Sequence, residues 1–339
     1  MATASFDVVG IGNAIVDVIA QADDAFLAQH GMVKSAMALI DEPRAKALYA
    51  AIGAQRDAAP SETRIIEASG GSAANTIAGI ASLGGKAGFI GKVRDDLLGG
   101  VFARDLNKLG VAFNNAPAAD GPATGQCLVL VTPDANRTMN TFLGAGALLG
   151  VEDVSANVVA AAQVVYLEGY LFDPPAAQAA FRKAADIAHA HDRKVALSLS
   201  DSFCVERHRD AFLDLIDGNV DIVFANEAEA LSLFQAGDID EALEQFRRRV
   251  PLTTVTRGAK GAVVLTAHER IDIPASPVER VVDTTGAGDL YAAGFLTNYT
   301  RDAALGECGR LGCLAAAEII SHFGARAETS LNDDTKARQ

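Results

Sequence analysis

Tryptophan is absent from this 339-residue chain, cysteine occurs four times and histidine six. Cys127, Cys204, Cys308 and Cys313 form no CxxC pair, and no His/Cys grouping has metal-ligand spacing. The cysteines are expected to be reduced, buried thiols of a cytoplasmic protein, and the histidines structural. Positive charge is short as well. Lys and Arg number 29 against 43 Asp and Glu, a net charge of −14. That excludes the basic footprint of a nucleic-acid groove. A helix end can still bind an anionic ligand on an acidic protein. No apolar run has bilayer length, since the most apolar stretch, Val158 to Leu167, is broken by Gln163. A membrane partner is therefore not expected. The start, Met1 to Phe6, has no basic signal-like region. Repeats and low-complexity segments are also missing.

Apolar residues make up 50% of the chain, enough for a packed core, and glycines number 31. Short apolar runs alternate with helical stretches. Val8 to Gly12, Val164 to Leu167, Val195 to Leu199, Ile222 to Ala225, Thr253 to Thr256 and Ala262 to Thr266 read as strands. Ala176 to His191, the residues ending at Gly218, and Glu227 to Gln235 read as helices. This alternation predicts an α/β fold with a mostly parallel sheet covered on both faces, and ligands beyond the C-terminal strand ends. Two regions break the rhythm. Val33 to Asp41 has no long helix before Pro43, and Gln126 to Leu143 reads as a hairpin about Thr132 to Asn136. They predict a small separate β-sheet acting as a lid.

The glycines cluster at three junctions. Asp283-Thr284-Thr285-Gly286-Ala287-Gly288-Asp289 follows a β-type run, Val278 to Val282, and opens a helical pattern. Glycine admits a tight turn with close backbone approach, and the helix start adds positive potential, a setting for a phosphoryl group. Asp289 in the first turn can take a proton from a hydroxyl nucleophile. Ser69-Gly70-Gly71-Ser72-Ala73-Ala74-Asn75 opens a second helix. It reads either as an acceptor side of the same cleft or as a turn with Ser72 as cap. Gly10-Ile11-Gly12-Asn13-Ala14-Ile15 begins like a dinucleotide fingerprint but has Ile15 where the last glycine belongs, so that fingerprint fails. Asp17, amid Val16, Val18 and Ile19, needs either a structural partner or a ligand hydroxyl.

These motifs together resemble the ribokinase-like (phosphofructokinase B-type) kinases along nearly the whole chain. Asp283 to Asp289 is similar to that family's C-terminal signature, and Gly70 to Gly85 to its N-terminal one. Gly12-Asn13 with Asp17, Thr124 to Cys127 and Asn136 to Thr138 resemble its adenosine kinase branch. Glu168 to Leu171, Leu199 to Phe203 and Phe224 to Ala230 match later segments. The small Ala73 and Ala74 also resemble sugar kinases, and Cys313 and Leu314 depart from the adenosine kinase pattern near the nucleotide base.

The resemblance implies a three-layer α/β/α sandwich with a β lid. It implies transfer of the γ-phosphate of ATP, with Mg²⁺ and possible use of K⁺, to a primary hydroxyl. The acceptor would be a nucleoside, adenosine preferred, or a sugar such as ribose or fructose. An idle nucleotide-binding regulator is the remaining alternative. Asp289 would be the general base, Gly286, Ala287 and Gly288 the anion hole, and Arg137 a lid cation at the transferred phosphate. Asn13, Asp17, Gly70, Gly71, Ser72, Asn75 and Cys127 would bind the acceptor. Asn226, Glu229, Thr256, Arg257, Gly258 and Gly261 would bind the nucleotide. Glu229 would reach Mg²⁺ through water, and Asp283 with Thr285 would hold a monovalent cation. On their own, Asn226 and Glu229 read as a helix cap with an acid at its third position. With no Trp, base stacking falls to Tyr170 or Phe203, which read equally as core aromatics. The expected large domain is 1–12, 42–120 and 144–330, the lid 13–21, 32–41 and 121–143, and 331–339 a polar tail. Monomer and homodimer both stay open.

Overall fold

The computed structural model describes residues 4–58, 65–134, 136–327 and 331. In chain order the strands are β1 (Phe6–Ile11), β2 (Ile15–Gln21), β3 (Met37–Leu39), β4 (Ile65–Gly70), β5 (Ala87–Ile90), β6 (Ala112–Phe113), β7 (Gly125–Val131), β8 (Arg137–Phe142), β9 (Ala162–Glu168), β10 (Lys194–Ser198), β11 (Ile222–Asn226), β12 (Leu252–Thr256), β13 (Ala262–Thr266) and β14 (Arg270–Ile273). Nine form a large sheet in the order β14-β13-β12-β11-β10-β9-β1-β5-β6. It is parallel from β12 to β6, while β13 and β14 turn back antiparallel.

The parallel strands are apolar on both faces because helices cover both. Val8, Val164, Tyr166 and Phe224 enter one core with helices Ser72–Ser82, Ala287–Tyr299 and Leu305–Ile319. Their neighbours Val9, Val165, Leu167 and Val223 enter the other, with helices Pro175–Ala190, Ser202–Asn219 and Ile239–Arg249. Helix Pro175–Ala190 shows why these segments are helical. Proline stands in its first turn, and Ala177, Ala180, Phe181, Ala184, Ala185 and Ala188 form a buried stripe at helical spacing. The α/β/α expectation therefore holds.

The second sheet has the order β3-β8-β7-β2-β4. The expected hairpin is present as antiparallel β7 and β8. Period-two alternation gives this sheet two different faces. Val16, Val18, Ala20, Leu128 and Leu130 pack with Leu48 and Ile52 of helix Glu42–Ala58 and continue into the first core. Ile15, Asp17, Ile19, Cys127, Val129, Arg137, Met139 and Thr141 line a cleft against the large sheet.

The structure corrects two expectations and decides a third reading that the sequence leaves open. β4 pairs with β2, and helix Glu42–Ala58 packs on β7 and β8, so both belong with the small sheet rather than with the 42–120 part of the large domain. The hydrophobic alternation of β4 is the same as that of any half-buried strand, and only pairing assigns it. Val278 to Val282 is not a strand but irregular chain beside the cleft. Tyr170 and Phe203 are not core aromatics; they border the cleft, with Phe203 68% exposed. The polar tail lies outside the described residues apart from Leu331.

Phe102 is fully buried, with its ring 5.7 Å from Phe89 and 5.3 Å from Phe113. Phe102→Ala should lower unfolding free energy by about 3–5 kcal/mol. The exposed Phe203→Ala should change it by no more than about 0.5 kcal/mol. Urea unfolding of both variants checks the contrast.

Candidate active site

The cleft runs along the C-terminal ends of the large sheet, beneath the small sheet, with a volume of about 1670 Å³. All the candidate residues border it or sit directly behind its wall. At its centre is the turn Asp283 to Asp289. Gly286 caps helix Ala287–Tyr299 with φ of 79°, a left-handed conformation that favours glycine. Main-chain N–H groups at the start of that helix have no intrahelical acceptor. Of the three anion-hole candidates, Ala287 already has an acceptor outside the helix, its N–H donating to Thr284 O at 3.2 Å. Around Gly288 a Cβ would meet nothing within 4 Å, so a ligand can approach the backbone there.

Asp289 meets the second motif directly. Ser72 Oγ donates to its Oδ1 at 2.6 Å and Asn75 Nδ2 to its Oδ2 at 2.9 Å. The two glycine clusters thus form one site, through bonds that span 217 and 214 residues of sequence. Burial pushes the Asp289 carboxyl up to about 6, while the bonds from Ser72 and Asn75 and the charge of Arg326 draw it down. Asp17 is likewise pushed up by burial, to about 6, with Arg326 and Arg137 opposing and Asp289 adding. Gly70 lies against it, and a Cβ there would sit 2.5 Å from the Asp17 carboxyl carbon. Cys127 faces the same space, its thiol pushed up to about 12 by burial and therefore neutral. Asn13, the first residue of the expected acceptor set, gives its amide to Glu168.

Arg137, on β8, crosses the cleft to Asp283 at 2.8 Å and lies over the Phe323 ring. The same Asp283 carboxylate accepts from Thr285 N at 3.0 Å, Thr285 Oγ at 2.7 Å and Gly324 N at 3.0 Å. Its oxygens are thus fully engaged, so a monovalent cation at Asp283 and Thr285 would have to rely on main-chain oxygens.

Toward β14 the cleft is bounded by Asn226, Glu229, Thr256, Arg257, Gly258 and Gly261. Asn226 caps helix Glu227–Phe234. Its Oδ1 accepts from Glu229 N at 2.9 Å, and both Glu229 oxygens accept from Asn226, at 2.6 and 2.9 Å. The cap-and-acid reading is therefore what these two side chains do in the fold. Burial pushes Glu229 up to about 7. Each of its oxygens keeps a lone pair for a water-held metal. Among the described residues no cluster of three His, Cys, Asp or Glu side chains could hold a metal directly. Cys313 borders the cleft, whereas Leu314 packs against the core.

Two functional-site residues escaped the sequence reading. Arg326 donates to Ser69 O at 2.9 Å and to Ala74 O at 2.5 Å, bracing the second glycine motif from the C-terminal segment. Glu168 lies in a segment that shares the family resemblance, and in the fold it contacts both Asn13 and Ala73. Neither sits in a periodic or glycine-rich pattern that could have marked it.

Asp17, Glu168 and Asp289 hold protons more tightly folded than unfolded, with values of about 6, 7 and 6. Unfolded carboxyls titrate near 4. Stability should therefore fall as pH rises from about 4 to about 7. Melting of the ligand-free protein should occur at higher temperature at about pH 5.5 than at about pH 8. The opposite order would contradict the burial of these carboxyls.

Residues 46–332 match the model of the pfkB family carbohydrate kinases. The fold is similar to an adenosine kinase from Sinorhizobium meliloti, at 50% identity and a TM-score of 0.88, covering 99% of this chain and 100% of that one. It is similar to a probable sugar kinase protein from Rhizobium etli, at 48% identity and a TM-score of 0.88, with 99% of each chain covered. A cytidine kinase of Thermococcus kodakarensis is 39% identical over 121 residues, which is 35% of this chain and 43% of that protein. No helix among the described residues is long and apolar enough to cross a membrane. With a family match over most of its length and the two glycine motifs meeting at one cleft, the chain belongs to the pfkB family and is a kinase acting on an alcohol group.

Proposed function

We propose that the chain is an ATP-dependent nucleoside kinase that prefers adenosine and releases AMP. The observation that carries this reading is the acceptor wall. Next to Asp17 the small sheet presents Ile15, Ile19, Val129, Met139, Met37 and Leu39 to the cleft, with Met37 and Leu39 54% and 58% exposed. A sugar alone offers hydroxyls but little apolar surface. A nucleoside offers sugar hydroxyls for Asp17 and Asn13 and a flat apolar base for the wall. The adenosine kinase similar over the whole chain supports the same choice.

In this reading Asp289 takes the proton of the primary hydroxyl. Its value near 6 leaves it ionised at neutral pH but more basic than an ordinary carboxylate. Ser72 and Asn75 orient it and are shared with the acceptor pocket. The helix start at Gly286 to Gly288 receives the negative charge. Arg137 adds a guanidinium whose Nε is buried without a hydrogen-bond partner among the described residues. The small sheet excludes water, which would otherwise compete with the acceptor. ATP bound with Mg²⁺ would supply the phosphoryl group and neutralise its charge. Asn226, Glu229 and the Thr256–Gly261 turn would hold it, with Glu229 reaching Mg²⁺ through water. A K⁺ held by main chain near Asp283 and Thr285 belongs to the same proposal, as does a cytoplasmic setting suited to four free thiols.

A sugar acceptor is the second reading, favoured by the 48% identity to a probable sugar kinase protein. Adenosine should raise the melting temperature and drive ADP release with ATP, Mg²⁺ and K⁺, whereas ribose and fructose should do neither. ADP release with a sugar alone would select the second reading, and no turnover with any acceptor would point to an idle nucleotide-binding protein. Asp289→Asn should lower kcat by roughly 10²–10⁴ while ATP still binds. Near-normal turnover would remove Asp289 as the base. Asp17→Ala should raise KM for the acceptor far more than for ATP, and equal effects would make Asp17 structural.

A further inference from the structure

Glu168 ends β9 and is 1% exposed, although no step described above uses it. Its carboxylate reaches both places where the chain crosses between the two sheets. Oε1 accepts from the Asn13 N–H at 3.3 Å and from Asn13 Nδ2 at 2.8 Å, on the way from β1 to β2. Oε2 accepts from the Ala73 N–H at 2.8 Å, where β4 leads back into helix Ser72–Ser82. The packing is tight, since a Cβ on Gly12 would lie 2.4 Å from Oε2.

A carboxylate only accepts hydrogen bonds. It therefore draws the Asn13 NH₂ group toward itself and leaves Oδ1 for another donor. That oxygen is buried and has no hydrogen-bond partner among the described residues, on a side chain that borders the cleft. A buried acceptor left unpaired is costly, and a ligand hydroxyl would remove the cost. The three donors favour the ionised form of Glu168 against burial and the Asp289 charge, which push it up to about 7.

We propose that Glu168 is the positioning residue of the acceptor site. It holds the Asn13 amide so that the oxygen, not the NH₂, meets a hydroxyl of the acceptor sugar. Through Ala73 it also ties that contact to the helix start carrying Ser72 and Asn75. The proposal rests on Asn13 being an acceptor ligand.

Glu168→Gln keeps the shape and changes the hydrogen-bond code. Either orientation sets the new NH₂ against a main-chain N–H, but the Ala73 contact is short at 2.8 Å and the Asn13 one long at 3.3 Å, and the Asn13 side-chain amide can rotate, so the NH₂ takes the Asn13 side. The glutamine would thus donate to Asn13 Oδ1, turning the Asn13 NH₂ outward. The measurement is kcat/KM for adenosine against its 2′-deoxy and 3′-deoxy analogues, with wild type expected to favour adenosine over at least one. E168Q should shrink that preference about tenfold or more, because a site built to accept a hydroxyl proton no longer does so. KM for ATP should stay within about twofold, since ATP binding is untouched. Asn13→Asp in the E168Q background should restore the preference, one carboxylate oxygen pairing with the glutamine amide and the other meeting the hydroxyl. A merely structural role would not be rescued in this way. If E168Q alone does not fold, the double variant decides: wild-type preference supports the role and its absence overturns it. E168Q that keeps the preference, beside Asn13→Ala that loses it, overturns the role of Glu168 alone. N13A that keeps it, or a wild type that phosphorylates no nucleoside, overturns the acceptor reading and this proposal with it.

Discussion

Three carboxyl groups held away from bulk water govern the arrangement of this cleft. Asp17, Glu168 and Asp289 come from the small sheet, the large sheet and a helix start, and burial raises all three. Uncompensated, such groups would oppose folding. The surroundings answer with directed donors: Ser72 and Asn75 at Asp289, Asn13 and Ala73 at Glu168, and the charges of Arg326 and Arg137 near Asp17. Four of these six groups, Asn13, Ser72, Ala73 and Asn75, come from segments where the chain passes between the sheets. The same bonds that make the carboxyls tolerable therefore set the geometry of the crossing points.

A net charge of −14 is compatible with a phosphoryl-binding site because little of the positive potential has to come from side chains. The turn at Gly286 sets the start of the helix behind it, the positive end of its dipole, at the border of the cleft. Arg137 and Arg326 are the guanidinium groups that matter here, and each is tied down, to Asp283 and to the Ser69 and Ala74 carbonyls. Their restraint lowers the entropy that ordering long side chains would otherwise demand. The small sheet contributes in the opposite sense. Its cleft face is mostly apolar, so one cavity has an apolar wall on that side and polar residues such as Asp289, Asn226 and Glu229 on the other.

Much of this was legible beforehand because it depends on short-range rules. The parallel strands announced themselves as apolar runs, the hairpin by its turn residues, and the two glycine motifs by their place between strand and helix. β4 and helix Glu42–Ala58 were misassigned because a half-buried strand looks the same whichever sheet it joins. Val278 to Val282 has β-type composition but finds no strand partner. Asn226 and Glu229 support two readings at once, since a capping box and a metal-organising pair use the same residues at the same spacing. The engagement of the Asp283 carboxylate by Arg137 depends on two segments 146 residues apart meeting across the cleft, which no local pattern carries.

By itself the sequence determined the layered α/β class, the family resemblance, Asp289 at a helix start and the absence of a basic face. These follow from periodicity, glycine placement and composition, which act over a few residues or over the whole chain. Only the tertiary structure decided that Ser72 and Asn75 bond Asp289, that Arg326 braces their loop, and that Glu168 spans both crossings. Such contacts arise where distant segments are forced together, and their partners are chosen by which buried polar atom would otherwise go unpaired. That selection is a property of the packed molecule, and a linear reading has no term for it.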